Sequence, residues 1–178
     1  MTTAAASAAV SGARTTPGAA LPPAPRLPDD ALPRVSVVIP CRNERAYIGP
    51  CLDSLLAGDY PADRLEVLVV DGASDDGTRA LLAERAAREP RLRVVLNLGI
   101  RAATGDVIVR MDAHSAYPSD YVRRLVEWQA ATGADNVGGT CRTLPSGDGA
   151  VPRAVAVALA HPFGVGASQF RTGVREPA

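Results

Sequence analysis

Three short polar clusters in this chain each follow directly on an apolar run. Cys41-Arg42-Asn43-Glu44 follows Val35-Ser-Val-Val-Ile-Pro40. Asp71-Gly-Ala-Ser74-Asp-Asp76-Gly-Thr78 follows Leu65-Glu-Val-Leu-Val-Val70, and Asp112-Ala-His114 follows Asp106-Val-Ile-Val-Arg-Met111. Asp112, with an imidazole two residues on, offers a carboxylate oxygen and a ring nitrogen, a donor pair suited to a divalent cation. The chain has neither a G-x-G-x-x-G turn nor a G-x-x-x-x-G-K-[ST] loop to cradle phosphates. A nucleotide diphosphate bound without such a cradle needs a cation to offset its charge, and a strand-end Asp-x-His can hold one. The same residues have structural uses. Ser74 and Asp76 are good caps for a following helix, Asn43 is another, and Gly72 and Gly77 suit a turn. A lone histidine such as His114 is more often a surface residue than a ligand.

Periodicity shows what positions these clusters. The runs at 35–40, 65–70, 92–95 and 106–111 read as strands buried on both faces. Between them lie helical patterns. One has Ile48, Leu52, Leu55 and Leu56 on one face, is capped by Asn43 and ends at Gly58. A second runs through Leu81, Leu82 and Ala86 and closes before Pro90; a short third spans 100–103. A fourth carries Val122, Leu125, Val126 and Gln129 behind a Ser119 or Asp120 cap. A fifth strand is expected near Asn136 and Val137, and a further helix over 154–160. Alternating strands and helices predict βαβ units and a parallel sheet. In such a sheet ligands bind beyond the carboxyl ends of the strands, where the three clusters fall.

Composition narrows the classes. Basic and acidic residues balance at 19 each, and aromatic residues number only two Phe, one Trp and four Tyr. Neither a basic patch nor a base-stacking surface is indicated, so nucleic acid is not an expected partner. The three cysteines form no C-x-x-C pair, which fits a reducing compartment. No apolar run approaches the roughly 20 residues of a bilayer span, and no leader pattern is apparent, so a cytoplasmic protein is expected. Residues 1–33 hold ten of the alanines and six of the 15 prolines. Too poor in large apolar groups to offset its ordering entropy, this stretch is expected to be a disordered extension.

The clusters, in this order, resemble glycosyltransferase family 2. Val35 to Glu44 resembles its opening strand and Asn-Glu turn, and Val69 to Thr78 its second-strand motif. Gly105 to His114 resembles the strand leading to its Asp-x-Asp metal motif. Arg110-Met-Asp-Ala-His114 with Pro162-Phe-Gly-Val-Gly166 looks most like the succinoglycan, exopolysaccharide branch. The resemblance implies an α/β fold of the GT-A type, a Rossmann-like, mostly parallel sheet with flanking helices. It implies an inverting hexosyl transfer from a nucleotide-diphosphate sugar to a saccharide or lipid-linked acceptor, assisted by Mn²⁺ or Mg²⁺. Pro40, Arg42, Asn43, Glu44, Asp71, Ser74, Asp76 and Asp112 would line the donor nucleotide, with Asp71 on the base. Asp112 and His114 would hold the metal. Residues 34–144 would be the nucleotide-sugar-binding domain and 145–178 the start of an acceptor half, and membrane contact would be peripheral, at the inner face.

Three departures from the family pattern follow. His114 stands where Asp is usual; neutral imidazole suits manganese better than magnesium, so Mn²⁺ is the expected preference. The stretch from Val94 to Ile100 is short of a loop and most of a helix, as though deleted near residue 96. Finally, inverting transfer needs a general base for the acceptor hydroxyl. After Asp135 the acidic residues are only Asp148, in a Pro-Ser-Gly-Asp-Gly loop, and Glu176, two residues from the end. Neither is a convincing base. The expected alternative is a donor-binding fragment or module that lacks catalysis.

Overall fold

The structure is a computed structural model that describes residues 26–96, 99–165 and 168. The chain divides into two compact units, Ala24–Gly138 and a second made of Met1–Pro23 with Gly139–Ala178.

The larger unit is built on four parallel strands, β1 (Val35–Cys41), β2 (Leu65–Asp71), β3 (Leu92–Leu96) and β4 (Val107–Arg110), in the order β3-β2-β1-β4. Register places Val37 between Val67 and Val109, and Ile39 beside Val69. These alternate residues form one buried face. Against it pack Ile48, Leu52 and Leu55 of α1 (Ile48–Leu56), Leu82 of α2 (Thr78–Ala86), and Val122 and Val126 of α4 (Tyr121–Thr132). Each such side chain, fully buried, stabilises the unit by about 1.5–3 kcal/mol. A short helix, α3 (Gly99–Ala102), lies between β3 and β4. Pro40 does not stop β1, which runs on to Cys41. Beyond Val38 that strand has lost its β4 neighbour, so a residue without an N–H is tolerated.

Several expectations are corrected. No strand occurs near Asn136 and Val137; residues 134–145 carry no regular structure. A single large apolar residue, Val137, followed by Gly138 and Gly139, offers too little surface to hold an edge. Asn43 caps no helix, because α1 begins only at Ile48, with its first N–H groups taken by the Glu44 carbonyl. Residues 26–33, grouped with the extension on composition, pack against the fold. Leu32 is buried, Leu27 leans on the core, and the Tyr60 hydroxyl donates to the Pro33 carbonyl at 2.7 Å. The rest of that extension lies outside the described residues.

In the smaller unit the described helices are α5 (Ala150–Ala160) and α6 (Pro162–Val165). They close tightly at Gly164, where a Cβ would stand 2.0 Å from the Ala158 carbonyl oxygen. Gly166 and Glu176 lie outside the described residues. Among the described residues no helix is long and apolar enough to cross a membrane.

Candidate functional site

All three clusters emerge at the carboxyl ends of adjacent strands, β2, β1 and β4. The first two are laced together. Asn43 adopts a left-handed backbone (φ 56°), donates its N–H to Ser74 Oγ at 2.9 Å, and accepts the Asp75 N–H on Oδ1 at 3.0 Å. Glu44 N–H reaches Thr78 Oγ1 at 3.0 Å, Arg45 N–H reaches Asp76 Oδ2 at 3.2 Å, and Gly72 N–H reaches the Cys41 carbonyl at 2.8 Å. The approach is close at Gly72, where a Cβ would stand 3.3 Å from Arg42 Cβ, tighter than an ordinary contact.

Asp71 is the anchor of this pair of loops. Its side chain is fully buried; Oδ1 accepts the Ser74 hydroxyl at 2.6 Å and the Ser74 N–H at 3.2 Å, while Arg79 Nε approaches Oδ2 at 3.3 Å. Ser74 therefore serves Asp71 and Asn43 and is not a helix cap. Asp76 accepts the Thr78 N–H at 2.9 Å and the Thr78 hydroxyl at the start of α2, whose N-cap position is Gly77. These Thr78 bonds hold the Asp76 carboxyl below its ordinary range. Pro40 and Arg42 are exposed beside this anchor.

The third cluster joins through Glu44. Its Oε1 lies 3.2 Å from His114 Nδ1, and His114 is otherwise largely exposed. Asp112 is half exposed, with Arg110 Nη2 at 2.9 Å from Oδ1. An imidazole held by a carboxylate at Nδ1 presents Nε2 for metal ligation, the arrangement in which an outer carboxylate fixes ring tautomer and orientation. Among the described residues no three His, Cys, Asp or Glu side chains gather as a metal cage. Asp112 and His114 would thus supply two donors, leaving the remaining positions to water or ligand oxygens, as suits a hard cation bound with a diphosphate.

Burial first, then Asp71, Glu44 and Asp76, pushes the Cys41 thiol up to about 11; burial and then Asp112 do the same to Cys51. Both thiols therefore stay protonated at neutral pH and act as small packing groups.

Three residues here escape sequence reasoning. Arg79 covers Asp71, Tyr117 accepts the Asp112 N–H at 2.7 Å, and Cys51 lies 3.5 Å from the Asp112 carbonyl oxygen. Nothing in their types or spacing marks them, because each acts across a chain reversal.

Comparison with known proteins places this geometry. The model of the family described as "Glycosyl transferase family 2" matches residues 36–169. The succinoglycan biosynthesis protein ExoA of Rhizobium meliloti (strain 1021) is 36% identical over 152 residues, covering 77% of this chain and 44% of ExoA. This chain therefore spans less than half the length of that relative. Among solved structures, a mannosyltransferase, PcManGT from Pyrobaculum calidifontis, in complex with GDP-Man and Mn²⁺, superposes with a TM-score of 0.57. It is 34% identical, over 65% of this chain and 37% of that one. TarS 1-349 of S. aureus in complex with UDP-GlcNAc shares the fold at a TM-score of 0.53 and 23% identity, over 64% of this chain and 37% of that one. The parallel sheet with its flanking helices is that of the GT-A glycosyltransferases. With the family pattern extending over most of the sequence and the three clusters on one rim of that sheet, the chain belongs to glycosyl transferase family 2.

Proposed function

We propose that this rim binds a nucleotide-diphosphate sugar together with a divalent cation, as the donor-binding part of an inverting glycosyltransferase of polysaccharide synthesis. The observation that carries the reading is Glu44 holding His114 by Nδ1, in the same turn region as the half-exposed Asp112. It supplies a preoriented nitrogen and a carboxylate where the fold presents ligands. A bound cation would offset the charge of the departing diphosphate.

The roles are those that the family resemblance implies for these positions. Asp112 and His114 hold the cation, and Asp112 also faces the ribose. Asp71 faces the base; because its side chain is buried under Arg79, that contact needs the exposed guanidinium to swing away. Pro40, Arg42, Asn43, Glu44, Ser74 and Asp76 shape the nucleotide pocket. In transfer, an acceptor hydroxyl of a saccharide or lipid-linked sugar attacks the anomeric carbon. The bond to the diphosphate breaks with inversion, and the hydroxyl proton passes to a general base. Membrane contact, where the acceptor is lipid-linked, is peripheral.

Titration calorimetry with UDP or GDP tests this reading. Asp71→Ala and Asp112→Ala should each weaken binding about 10–100-fold, the loss of a charge-assisted contact of about 1.5–3 kcal/mol. Binding should be tighter with Mn²⁺ than with Mg²⁺, given the imidazole donor. Affinity unchanged in both variants would remove the site assignment, and equal binding with the two metals would remove His114 from the cation. A second reading is donor binding without transfer, since Asp148, the described acidic residue beyond Asp135, is exposed in an irregular loop. Sugar transfer or donor hydrolysis by the purified chain would dismiss it.

A further inference from the structure

We propose that Tyr117 is a positioning residue for the cation site, acting through the peptide of Asp112. The inference rests on the donor-site reading above and assigns part of that site's affinity to a hydroxyl outside the rim.

Strand β4 pairs with β1 only as far as Arg110, opposite Val38, and Met111 still donates its N–H to the Val38 carbonyl at 3.0 Å. Asp112 is therefore the first residue to leave the sheet. The ladder no longer fixes its backbone, and an unfixed peptide would let its carboxylate wander. The Tyr117 hydroxyl takes over. It accepts the Asp112 N–H at 2.7 Å and lies 3.4 Å from the Asp112 carbonyl oxygen. That same oxygen accepts the Ser115 N–H at 3.3 Å, closing a turn over 112–115, and the Cys51 thiol from α1 lies 3.5 Å away. Asp112 and His114 sit on this turn. The backbone of Asp112 is thus held on both sides, at its N–H by Tyr117 and at its carbonyl by Tyr117, the Ser115 N–H and the Cys51 thiol.

The clamp is itself held. The Tyr117 ring is partly buried against the core and packs on Tyr121 at a centroid distance of 4.9 Å. A rigid aromatic with its hydroxyl on a backbone N–H transmits the position of α4 to the turn. Removing the hydroxyl while keeping the ring should leave the fold intact and free the turn. Outer groups that orient metal ligands typically govern 10–100-fold in metal affinity.

Tyr117→Phe is the test, read as UDP or GDP binding in saturating Mn²⁺ and again in EDTA, with bound Mn²⁺ followed by electron paramagnetic resonance. Metal-dependent binding should weaken about 10-fold, at the low end of the range for outer groups, while the metal-free affinity stays unchanged. Tyr60→Phe is the control: it removes another buried tyrosine hydroxyl bond, to Pro33, remote from the rim. It should lower the melting temperature and leave both affinities alone. Should Tyr117→Phe fail to fold, Cys51→Ala loosens the backbone of the same residue, Asp112, at its carbonyl and should also reduce the metal-dependent affinity. Wild-type Mn²⁺ binding in the variant that folds, or an equal loss with and without metal, would overturn the positioning role. Absence of any metal-dependent nucleotide binding in the wild-type protein, by contrast, would bring down the donor-site reading and this inference with it.

Discussion

The two ends of the parallel sheet both bury polar groups, but only the carboxyl end leaves several charged side chains of its clusters accessible. At the amino ends of the strands, Ser36 is buried and its hydroxyl meets Glu66 Oε1, which also takes the Thr104 N–H and hydroxyl at 2.6 and 2.8 Å. Gly105 N–H returns to Ser36 Oγ at 2.7 Å, and Arg93 pairs with the second Glu66 oxygen. Burial alone would raise the Glu66 carboxyl, but these bonds outweigh it and hold it low. Near the same end, the buried Arg123 reaches Asp29 Oδ1 at 2.6 Å, the Asp59 carbonyl at 3.0 Å and the Leu27 carbonyl at 3.2 Å. The buried Glu127 accepts the Leu27 N–H at 3.1 Å. At the carboxyl ends, Asp112, His114 and Arg110 stay substantially exposed. The described non-glycine residues with positive φ, Asn43 (56°) and Ala73 (63°), lie in the rim loops. The amino end is closed on itself and stabilises; the carboxyl end also buries an anchor, Asp71 with Ser74 and Thr78, but keeps Asp112, His114 and Arg110 accessible and its loop backbone strained, as sites for ligands do.

If that division holds, disrupting the closed end should cost stability and spare the rim. The largest effect is expected from Arg123→Ala. It leaves the buried Glu127 without its neighbouring cation and the Asp59 and Leu27 carbonyls without their donor, and removing one partner of a buried charge interaction typically costs about 3–5 kcal/mol. Chemical denaturation measures the loss. UDP or GDP affinity, taken at a temperature where the variant remains folded, should not move; a tenfold fall there would break the comparison. Gly105→Ala comes next. The added Cβ would stand 2.6 Å from the Ser36 N, against backbone that cannot yield, so overpacking should cost about 1–3 kcal/mol. Its acid sensitivity should also rise. Glu66, protonated more easily once its clamp is displaced, would lose its contribution at a higher pH than in the wild-type protein. That sign follows from a depressed folded-state pKa, whose stabilisation is lost as pH falls through it.

The sequence carried the frame of this comparison and little of its closure. Runs of β-branched residues made β1, β2 and β4 legible, and amphipathic spacing made α1 and α4 so, because both signals are local. Asn43 shows the limit. Locally its side chain suits a helix cap and a left-handed turn equally. The choice is made by Ser74 and Asp75, some thirty residues away, which take its backbone N–H and occupy its side-chain oxygen Oδ1. Arg123 and Glu127 fall beside the apolar stripe of α4, and only the return of residues 27–29 over them turns a solvated face into a buried network. The rim carboxylates were legible because strand ends announce them. Tyr117, Cys51 and Arg79 were not, because their chemistry lies in where the chain reverses.

The smallest expected effect sharpens the comparison most directly, since it tests whether strain at the rim is stored free energy. Ala73 is exposed and sits at φ 63°. Its methyl gains nothing from burial and clashes with its own backbone, a penalty of roughly 1–2 kcal/mol for an L-residue in this region. Replacing it with glycine removes the clash but adds unfolded-chain entropy worth about 0.5–1 kcal/mol. Ala73→Gly should therefore raise stability by about 0.5–1 kcal/mol in urea denaturation, the difference of those two terms. The same substitution at the exposed Ala83 in α2, where φ is helical, should lower it by about 1 kcal/mol. Opposite signs from one chemical change would show that the left-handed geometry, and not alanine's side chain, is what the rim maintains at a cost. Two losses of similar size would mean that the loop relaxes in solution and that the carboxyl end is no more strained than the rest of the sheet.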